Sequence, residues 1–554
     1  MYQNNLVTMG MTKDGKYLSV IPKMANRHGL IAGATGTGKT ITLKVMAEAF
    51  SDAGVPVFLS DVKGDLAGMV MNGTDSEDMQ SRINYFGLAD LGYSYKSYPT
   101  RFWDIYGAKG LPMRTTVTEF GPLLLSRVLG LNQTQSDILN IVFKIADSEQ
   151  LLLIDLKDLK AALNYCSENA SDFKAEYGNI APQSVAAIMR SLVSLEDKGA
   201  DRFFGEPALD IMDFFKTTES GKGFINVLDS ESLINDTTVY STFLLWLLSE
   251  LFELLPEVGD QEKPKMVFFF DEAHLLFEDA PKALLQKIEQ VVKLIRSKGV
   301  GIYFVTQNPR DIPDDVLAQL GNKVQHALHA YTPAERKGIK AAAESFRVNP
   351  AFDTEEAIQN LGTGEALVSF LMEDGSPSEV EIVKILPPQS KMGGIEDNLR
   401  NQTIASDALR DKYSDMIDRD SAYEFLQRKA QLIADDAEKA ALAKLEAKEA
   451  EKAAKEQAKA EEKAAKEAAK AEEKAAREAA KAEEKAAREA EKAKEKESKT
   501  VKRAIKNVGK SAASSVGREL GKAVGKGFGS TGKTIAGNIG SSLGRGLLDT
   551  IFKL

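Results

Sequence analysis

The chain has 554 residues, 43% of them hydrophobic, with a single cysteine and a formal net charge of −10. These totals predict roughly two to four domains, or one large core with appendages, and the net charge argues weakly against a protein coated in nucleic acid. The single Cys166 excludes an internal disulfide and, with no secretory segment at the start of the sequence, predicts a cytoplasmic protein.

The first element that carries chemistry is a glycine-rich loop between a strand and a helix. Residues 28–34 (HGLIAGA) have the pattern of a β-strand, and residues 42–50 (TLKVMAEAF) have that of an amphipathic helix. The overlapping segment GATGTGKT (33–40) matches the phosphate-loop pattern G-x-x-x-x-G-K-[ST], whose backbone N–H groups and helix dipole point at phosphates. We therefore predict nucleotide binding by Gly33, Ala34, Thr35, Gly36, Thr37, Gly38, Lys39 and Thr40, with Lys39 also catalytic and Thr40 a direct magnesium ligand.

Further strand patterns predict an α/β fold. They lie at residues 55–61, 223–229, 265–272 and 301–307 and alternate with helical patterns such as residues 282–297. Apolar strands separated by amphipathic helices indicate βαβ units and a mostly parallel sheet. Residues 115–215 show helical periodicity without such a strand, and we interpret them as a helical insertion in a P-loop core.

Two of these strands end in side chains suited to hydrolysis. VFFFDEAH (267–274) places Asp271 and Glu272 after four apolar residues, and VTQNP (305–309) places Gln307 in a similar position. We predict that Asp271 reaches the magnesium ion through water and that Glu272 takes a proton from the attacking water. Gln307 is the candidate that senses the γ-phosphate or orients that water. Buried strands often end in surface acids, but the phosphate loop upstream favours a site.

The remaining sequence changes character in three steps. Residues 364–371 and 378–386 predict a hairpin that closes the core, residues 1–390, and a polar extension follows at residues 391–435. Residues 436–499 are rich in Ala, Glu and Lys and contain an eleven-residue repeat, EEKAAKEAAKA and its variants. The repeat predicts a helix whose constant face is only alanine, which favours a solitary helical spacer over a coiled coil. The last segment, residues 500–554, is a basic, glycine-rich tail.

A second phosphate-loop pattern occurs in this tail, at residues 527–534 (GFGSTGKT). No strand pattern precedes it, and the glycines around it fall at helical spacing. The composition of the tail also makes an accidental match far more frequent than elsewhere in the chain. We therefore predict that Lys39 belongs to a working phosphate loop and that Lys533 does not.

Five segments together resemble the HerA/FtsK group of P-loop ATPases, most closely bacterial HerA-like proteins of unassigned role: RHGLIAGATGTGKT (27–40), FLSDVKGD (58–65), FFFDEAHLLF (268–277), YFVTQNPRDIP (303–313) and QLGNKVQHALHAYTP (319–333). The resemblance covers roughly residues 1–430. It implies a RecA-like core, ATP and Mg²⁺ as cofactors, a homo-hexamer, and ATP-driven movement or unwinding of double-stranded DNA. An arginine from the neighbouring subunit completes such sites; Arg296 is our candidate and Arg336 its rival.

A second class of function stays open. The core would still hydrolyse ATP, but the spacer and tail would dock it on a membrane or a protein partner, as in assembly and secretion ATPases. Residues 502–554 carry ten Lys/Arg against two acidic residues, and Leu547, Ile551 and Phe552 add an apolar end. Under this hypothesis the protein is cytoplasmic but peripheral at the inner face of the membrane.

Overall fold

The computed structural model describes residues 1–233, 236–277, 282–330 and 332–497. The chain divides into a first unit, Met1–Ala440, and a second unit, Ala441–Leu554. The basic tail and its phosphate-loop pattern at 527–534 lie outside the described residues, so the predictions made for them stay predictions.

In the described ranges, the strands form one mixed sheet. In chain order they are β1 Tyr2–Gln3, β2 Leu6–Thr12, β3 Tyr17–Val20, β4 Gly29–Ala32, β5 Val57–Asp61, β6 Thr100–Asp104, β7 Leu111–Pro112, β8 Ile225–Asp229, β9 Met266–Phe270, β10 Val300–Thr306, β11 Asn322–Gln325, β12 Glu365–Ser369 and β13 Glu381–Ile385. The order across the sheet is β1-β2-β13-β12-β11-β4-β10-β9-β5-β8-β6-β7, with β3 paired to β2. The strands from β11 to β7 run parallel, whereas the strands at the β1 margin pair antiparallel.

Helices cover both faces of the parallel part. In chain order they are α1 Lys39–Asp52, α2 Glu77–Tyr85, α3 Val117–Val128, α4 Gln133–Ser148, α5 Leu156–Glu168, α6 Ala170–Tyr177, α7 Pro182–Asp197, α8 Thr237–Leu254, α9 Lys282–Ile295, α10 Asp314–Leu317, α11 Pro333–Glu344, α12 Thr354–Asn360, α13 Asp397–Ala405, α14 Arg410–Tyr413 and α15 Ala422–Glu497. Successive side chains of a strand point to opposite faces. Phe268 and Phe270 accordingly join the core with α8, while Val267 and Phe269 join the core with α1. Burial on both faces explains why these strands are continuous apolar runs.

The helical insertion consists of α3 to α7. Its first three helices begin with capping boxes at Thr116, Asn132 and Asp155. In each box the cap side chain accepts the backbone N–H of the residue three positions later, and that residue's side chain accepts the backbone N–H of the cap. Helix α3 packs against α4 and α8, and α7 packs against α4 and α5. The predicted fold class, an α/β protein with a mostly parallel sheet and a helical insertion, is confirmed.

Strand β6 was not predicted from the sequence, because the charged residues in its run, TRFWD, interrupt the apolar pattern of a buried strand. Arg101 is buried nonetheless: its Nε lies 3.1 Å from Asp407 Oδ2, and its guanidinium stacks 3.8 Å from the Phe224 ring centroid. Trp103 donates its indole N–H to Asn226 Oδ1 at 3.0 Å. Distant partners thus stabilise β6, next to the edge strand β7, although its residues by themselves resemble a loop.

The last described element is α15, which begins at Ala422 and so takes in part of the predicted polar extension. At the start of α15, the Ser421 hydroxyl and the Tyr423 backbone N–H both donate to the carboxylate of Asp158 in α5. The i,i+4 ion pairs expected from the repeat are present, with Lys466 Nζ 2.6 Å from Glu462 Oε1. Among the described helices, none is both long and apolar enough to cross a membrane.

Candidate active site

The phosphate-loop segment forms a tight turn between β4 and α1. Gly33, Gly36 and Gly38 have φ values of 151°, 80° and 120°, a region that side chains disfavour. A Cβ on Gly33 would lie 2.5 Å from His326 Cβ, so space as well as conformation demands glycine there. The loop therefore runs from the end of a buried strand directly into the N-terminus of α1, as phosphate binding requires.

Neighbouring elements hold this loop by its backbone. The Gly33 N–H donates to Thr306 O at 3.3 Å, and the Ala34 N–H donates to Ala327 O at 2.9 Å. The Thr37 carbonyl accepts from the Gly364 N–H at 3.0 Å. These bonds reach β10, the segment after β11 and the segment before β12, so the sheet fixes the loop from three sides.

His326 packs against the phosphate loop. The sequence places it in the segment QLGNKVQHALHAYTP (319–333) and indicates no metal shared with His329, but predicts no role for it. Its Nδ1 lies 2.9 Å from Glu365 O and its Nε2 lies 2.8 Å from Thr42 Oγ1. Because a carbonyl only accepts, Nδ1 carries the hydrogen and Nε2 accepts from the Thr42 hydroxyl. Burial lowers the pKa of His326 to about 4, so the ring stays neutral and ties α1 to β12.

Lys39 is the first residue of α1, and its side chain folds back over the phosphate loop. Its Nζ donates to Gly33 O at 2.6 Å and to Ala34 O at 3.1 Å. Burial lowers the pKa of this lysine, and the negative charge of Glu272 opposes that effect. A buried ammonium group bonded only to loop carbonyls here is placed to meet an anion that enters the loop.

Asp271 follows β9 at the same edge of the sheet. Its backbone N–H donates to Ser60 Oγ at 3.0 Å, and the Tyr240 hydroxyl donates to its carbonyl oxygen at 3.0 Å. Burial, followed by the charge of Glu272, raises the pKa of the Asp271 carboxyl to about 6. Strand β5, through Ser60, and helix α8, through Tyr240, therefore fix the position of a carboxylate that can neutralise a cation.

Glu272 has a left-handed backbone, with φ and ψ both 47°. That conformation is uncommon for residues other than glycine, and such strain is concentrated at functional sites. Gln307 Nε2 lies 3.3 Å from Glu272 Oε2, Lys63 Nζ lies 3.4 Å from Oε1, and His274 Nδ1 lies 3.4 Å from Oε2. The structure thus brings Gln307 to Glu272, although 35 residues separate them in sequence.

A cavity of about 280 Å³ lies beside the phosphate loop and extends to Lys63, whose Nζ contacts Glu272. Lys39, Thr40 and Asp271 line it together with three residues to which the sequence reading gave no role, Lys63, Asp65 and Lys44. Asp65 hydrogen-bonds the Thr40 side chain. Thr40, Asp65 and Asp271 offer only oxygen donors, which fits Mg²⁺, an ion that proteins bind through one or two carboxylates plus substrate phosphates. Within the described ranges, no cluster of three or more His, Cys, Asp or Glu residues is arranged to hold a metal ion.

The two arginine candidates lie apart from this cavity. Arg296 precedes β10, at the end of the strand opposite the phosphate loop, with its Nη2 4.0 Å from Asp260 Oδ1. Arg336 is exposed on α11. Neither completes the site of its own chain, so a role for either needs a neighbouring subunit and stays a prediction.

One signal could have revealed more of the site. Asp61 ends β5, which lies beside β9 in the sheet, so the rule that selected Asp271 applies equally to FLSDVKGD (58–65). That segment carries Asp61, Lys63 and Asp65. For Lys44 and His326 the sequence offers no comparable signal, because each makes contacts with residues hundreds of positions away: Lys44 donates to Lys391 O, and His326 Nε2 accepts from the Thr42 hydroxyl.

Comparison with known proteins places this geometry in context. The family described as helicase HerA-like C-terminal matches residues 7–534, whereas the motifs cover roughly residues 1–430. The DNA double-strand break repair helicase HerA of Sulfurisphaera tokodaii is 24% identical over 385 residues, 67% of each chain. The protein of the same name from Sulfolobus acidocaldarius is 22% identical over 398 residues, 68% of each chain. Among solved structures, VirB4 of Thermoanaerobacter pseudethanolicus has a TM-score of 0.43 and 16% identity, covering 70% of this chain and 97% of that one.

Proposed function

The chain belongs to the helicase HerA-like C-terminal family, and from that premise we propose that it is an ATP-hydrolysing ring motor that moves or unwinds double-stranded DNA. The observation that carries the proposal is the meeting of Lys39, Thr40, Asp271, Glu272 and Gln307 at one edge of the sheet. The names of the relatives, which describe DNA helicases, support DNA as the substrate. The hexamer is proposed by analogy with the family.

In this proposal the loop binds the phosphate chain of ATP. Its backbone N–H groups and the N-terminus of α1 face the β-phosphate region, and the Lys39 ammonium leaves its carbonyl partners to bridge the β- and γ-phosphates. Mg²⁺ would be held by Thr40 and, through water, by Asp271, and when bound it neutralises charge on the phosphates.

Glu272 then acts as the base. Its carboxylate takes a proton from a water molecule as the water oxygen attacks the γ-phosphorus and the bond to the β-phosphate oxygen breaks. Gln307, whose amide already lies 3.3 Å from this carboxylate, is placed to orient the water. ADP and inorganic phosphate are the products.

The test is ATP turnover by the full chain with and without double-stranded DNA. We expect phosphate release that duplex DNA stimulates.

Glu272→Gln should still bind ATP but lose turnover by about 100-fold or more, because only proton removal is lost. Normal hydrolysis by Glu272→Gln would show that Glu272 is not the base, and no turnover by the unsubstituted chain would contradict the proposal.

A second candidate, an assembly or secretion ATPase docked through its tail, is favoured by one observation. Residues 502–554 combine ten Lys/Arg against two acidic residues with an apolar end, which has no use on a phosphate backbone but suits an anionic lipid surface. The full chain and a chain shortened to residues 1–499 should be compared for binding to anionic vesicles and to duplex DNA in parallel. Tail-dependent vesicle binding that survives moderate salt, with turnover that ignores DNA, would favour this candidate.

A further inference from the structure

Lys63 is one of three lysines that line the phosphate cavity, with Lys39 and Lys44, and the hydrolysis scheme above does not use it. It follows β5 by two residues and lines the same cavity wall as Lys39, Thr40 and Asp271. Its positive charge is among the causes that lower the pKa of Lys39. Three lysines that line one cavity favour an anion with more than one negative charge.

The present partner of Lys63 is Glu272, and the pairing is loose. The Nζ to Oε1 distance is 3.4 Å, longer than the 2.7–2.9 Å typical of a charge-assisted hydrogen bond. The Lys63 side chain is 44% exposed, whereas that of Glu272 is only 7% exposed. Lysine carries its charge on a flexible stem, so Lys63 can leave Glu272 without disturbing the core.

The location of Glu272 indicates which phosphate Lys63 would meet. In the proposed scheme the loop N–H groups surround the inner phosphates and Lys39 bridges the β- and γ-phosphates, whereas the general base must face the water that attacks the terminal one. A cation in contact with the base therefore lies at the γ end of the site. ADP has no group there and would leave Lys63 beside Glu272.

We infer that Lys63 binds the γ-phosphate of ATP and thereby releases Glu272 to act as the base. The inference rests on the proposed ATPase function and deepens it by assigning a residue that distinguishes ATP from ADP. The Nζ of Lys63 lies 3.4 Å from Glu272 Oε1, so transfer of Lys63 to the γ-phosphate would free the Glu272 carboxylate from this ion pair only when a substrate is present. No bond is formed or broken by Lys63 itself; its ammonium group exchanges one anionic partner for another.

The experiment measures nucleotide affinity of the full chain with ADP and with the non-hydrolysable β,γ-imido analogue of ATP. In Lys63→Met we expect the dissociation constant of the analogue to rise about 10-fold or more, as loss of a hydrogen bond to a charged group predicts. The dissociation constant of ADP should stay within about twofold, which also shows that the variant is folded, because ADP binding relies on the loop and Lys39. Lys63→Arg keeps the charge and should recover most of the affinity for the analogue.

Lys23 provides a matched control. It is 42% exposed, close to the 44% of Lys63, and lies 3.8 Å from Glu262. Its partner is 91% exposed, and Lys23 precedes β4, away from the phosphate loop. Lys23→Met should change neither affinity. Equal weakening of both nucleotides in Lys63→Met, or unchanged affinity for the analogue, would overturn the inference alone. Failure of the unsubstituted chain to bind either nucleotide would overturn the proposed function as well.

Discussion

Several acidic side chains and lysines are buried close together at the carboxyl edge of the sheet, and burial shifts their pKa values. Asp61 and Asp271 end neighbouring strands, and burial is the first cause that raises the pKa of each carboxyl group. Burial likewise lowers the pKa of Lys44 to about 8. Such an edge favours a ligand that brings both negative charge and a cation, as a magnesium nucleotide does.

Lys39 and Lys533 occupy the same position in the two phosphate-loop patterns. Substituting each lysine shows which of the two patterns is needed for ATP hydrolysis. Lys39→Ala should lower ATP turnover by at least about 100-fold, because no other group replaces its charge within the loop. Lys533→Ala should leave turnover within about twofold of the unsubstituted chain, because no strand pattern precedes its loop. Steady-state phosphate release from both variants is the measurement, and comparable losses would refute the accidental match.

Asp61 should make stability depend on pH in a predictable direction. Burial, followed by the charge of Asp65, raises the pKa of its carboxyl group to about 7, above the value of about 3.9 in an unfolded chain. The folded chain therefore binds this proton more tightly, so its contribution to stability is present at low pH and is lost as pH rises from about 4 to about 7.

Asp61→Asn removes this titration and serves as the reference. Between about pH 5 and about pH 8, the free energy of unfolding of the unsubstituted chain should fall by roughly 2 kcal/mol relative to Asp61→Asn, since each pKa unit is worth about 1.4 kcal/mol. Denaturant unfolding of both proteins at the two pH values measures this. Parallel pH profiles would show that Asp61 ionises normally.

At the scale of elements, the segment that follows β13 closes over α1. The buried Glu48 of α1 accepts from the backbone N–H groups of Gln389 at 2.8 Å and Ser390 at 3.0 Å, and from the Ser390 hydroxyl. One turn earlier, Lys44 donates to Lys391 O, and Gly393 lines the phosphate cavity. Helix α1, which begins at the phosphate loop, is thus hydrogen-bonded to a segment more than 300 residues away in the sequence.

Glu48→Ala should therefore destabilise the core. Three buried donors would lose their acceptor, at a cost of about 3 kcal/mol or more in the free energy of unfolding. Glu48→Gln keeps one acceptor oxygen and should lose less. Denaturant unfolding of the two variants decides the matter, and an unchanged midpoint for Glu48→Ala would mean that the segment does not depend on Glu48.

At the scale of the whole molecule, neither Arg296 nor Arg336 lines the phosphate cavity of its own chain. Arg296 lies at the opposite end of β10 from the phosphate loop. We predict that Arg296 acts on the site of a neighbouring copy, and a mixing experiment tests this.

Arg296→Ala and Glu272→Gln should each be nearly inactive as ATPases. Mixing the two proteins should restore some turnover, because some sites would combine an intact Glu272 with an intact Arg296 from the neighbour; removing such an arginine costs about 1,000-fold or more in other P-loop enzymes. ATP turnover as a function of mixing ratio is the readout. Full activity of Arg296→Ala alone would exclude it and promote Arg336.

The sequence alone determined the parts of the site that are local or follow from parallel strands. The phosphate loop is eight consecutive residues, so strand, glycine turn and helix are visible together. Asp271, Glu272 and Gln307 were predictable because neighbouring parallel strands end at the same edge of the sheet. Only the tertiary structure decided the contacts of Lys63, Lys44 and His326 and the burial of Arg101 within β6. Their partners are distant in sequence, and a side chain's protonation and role depend on the partner that folding selects, which no local pattern encodes.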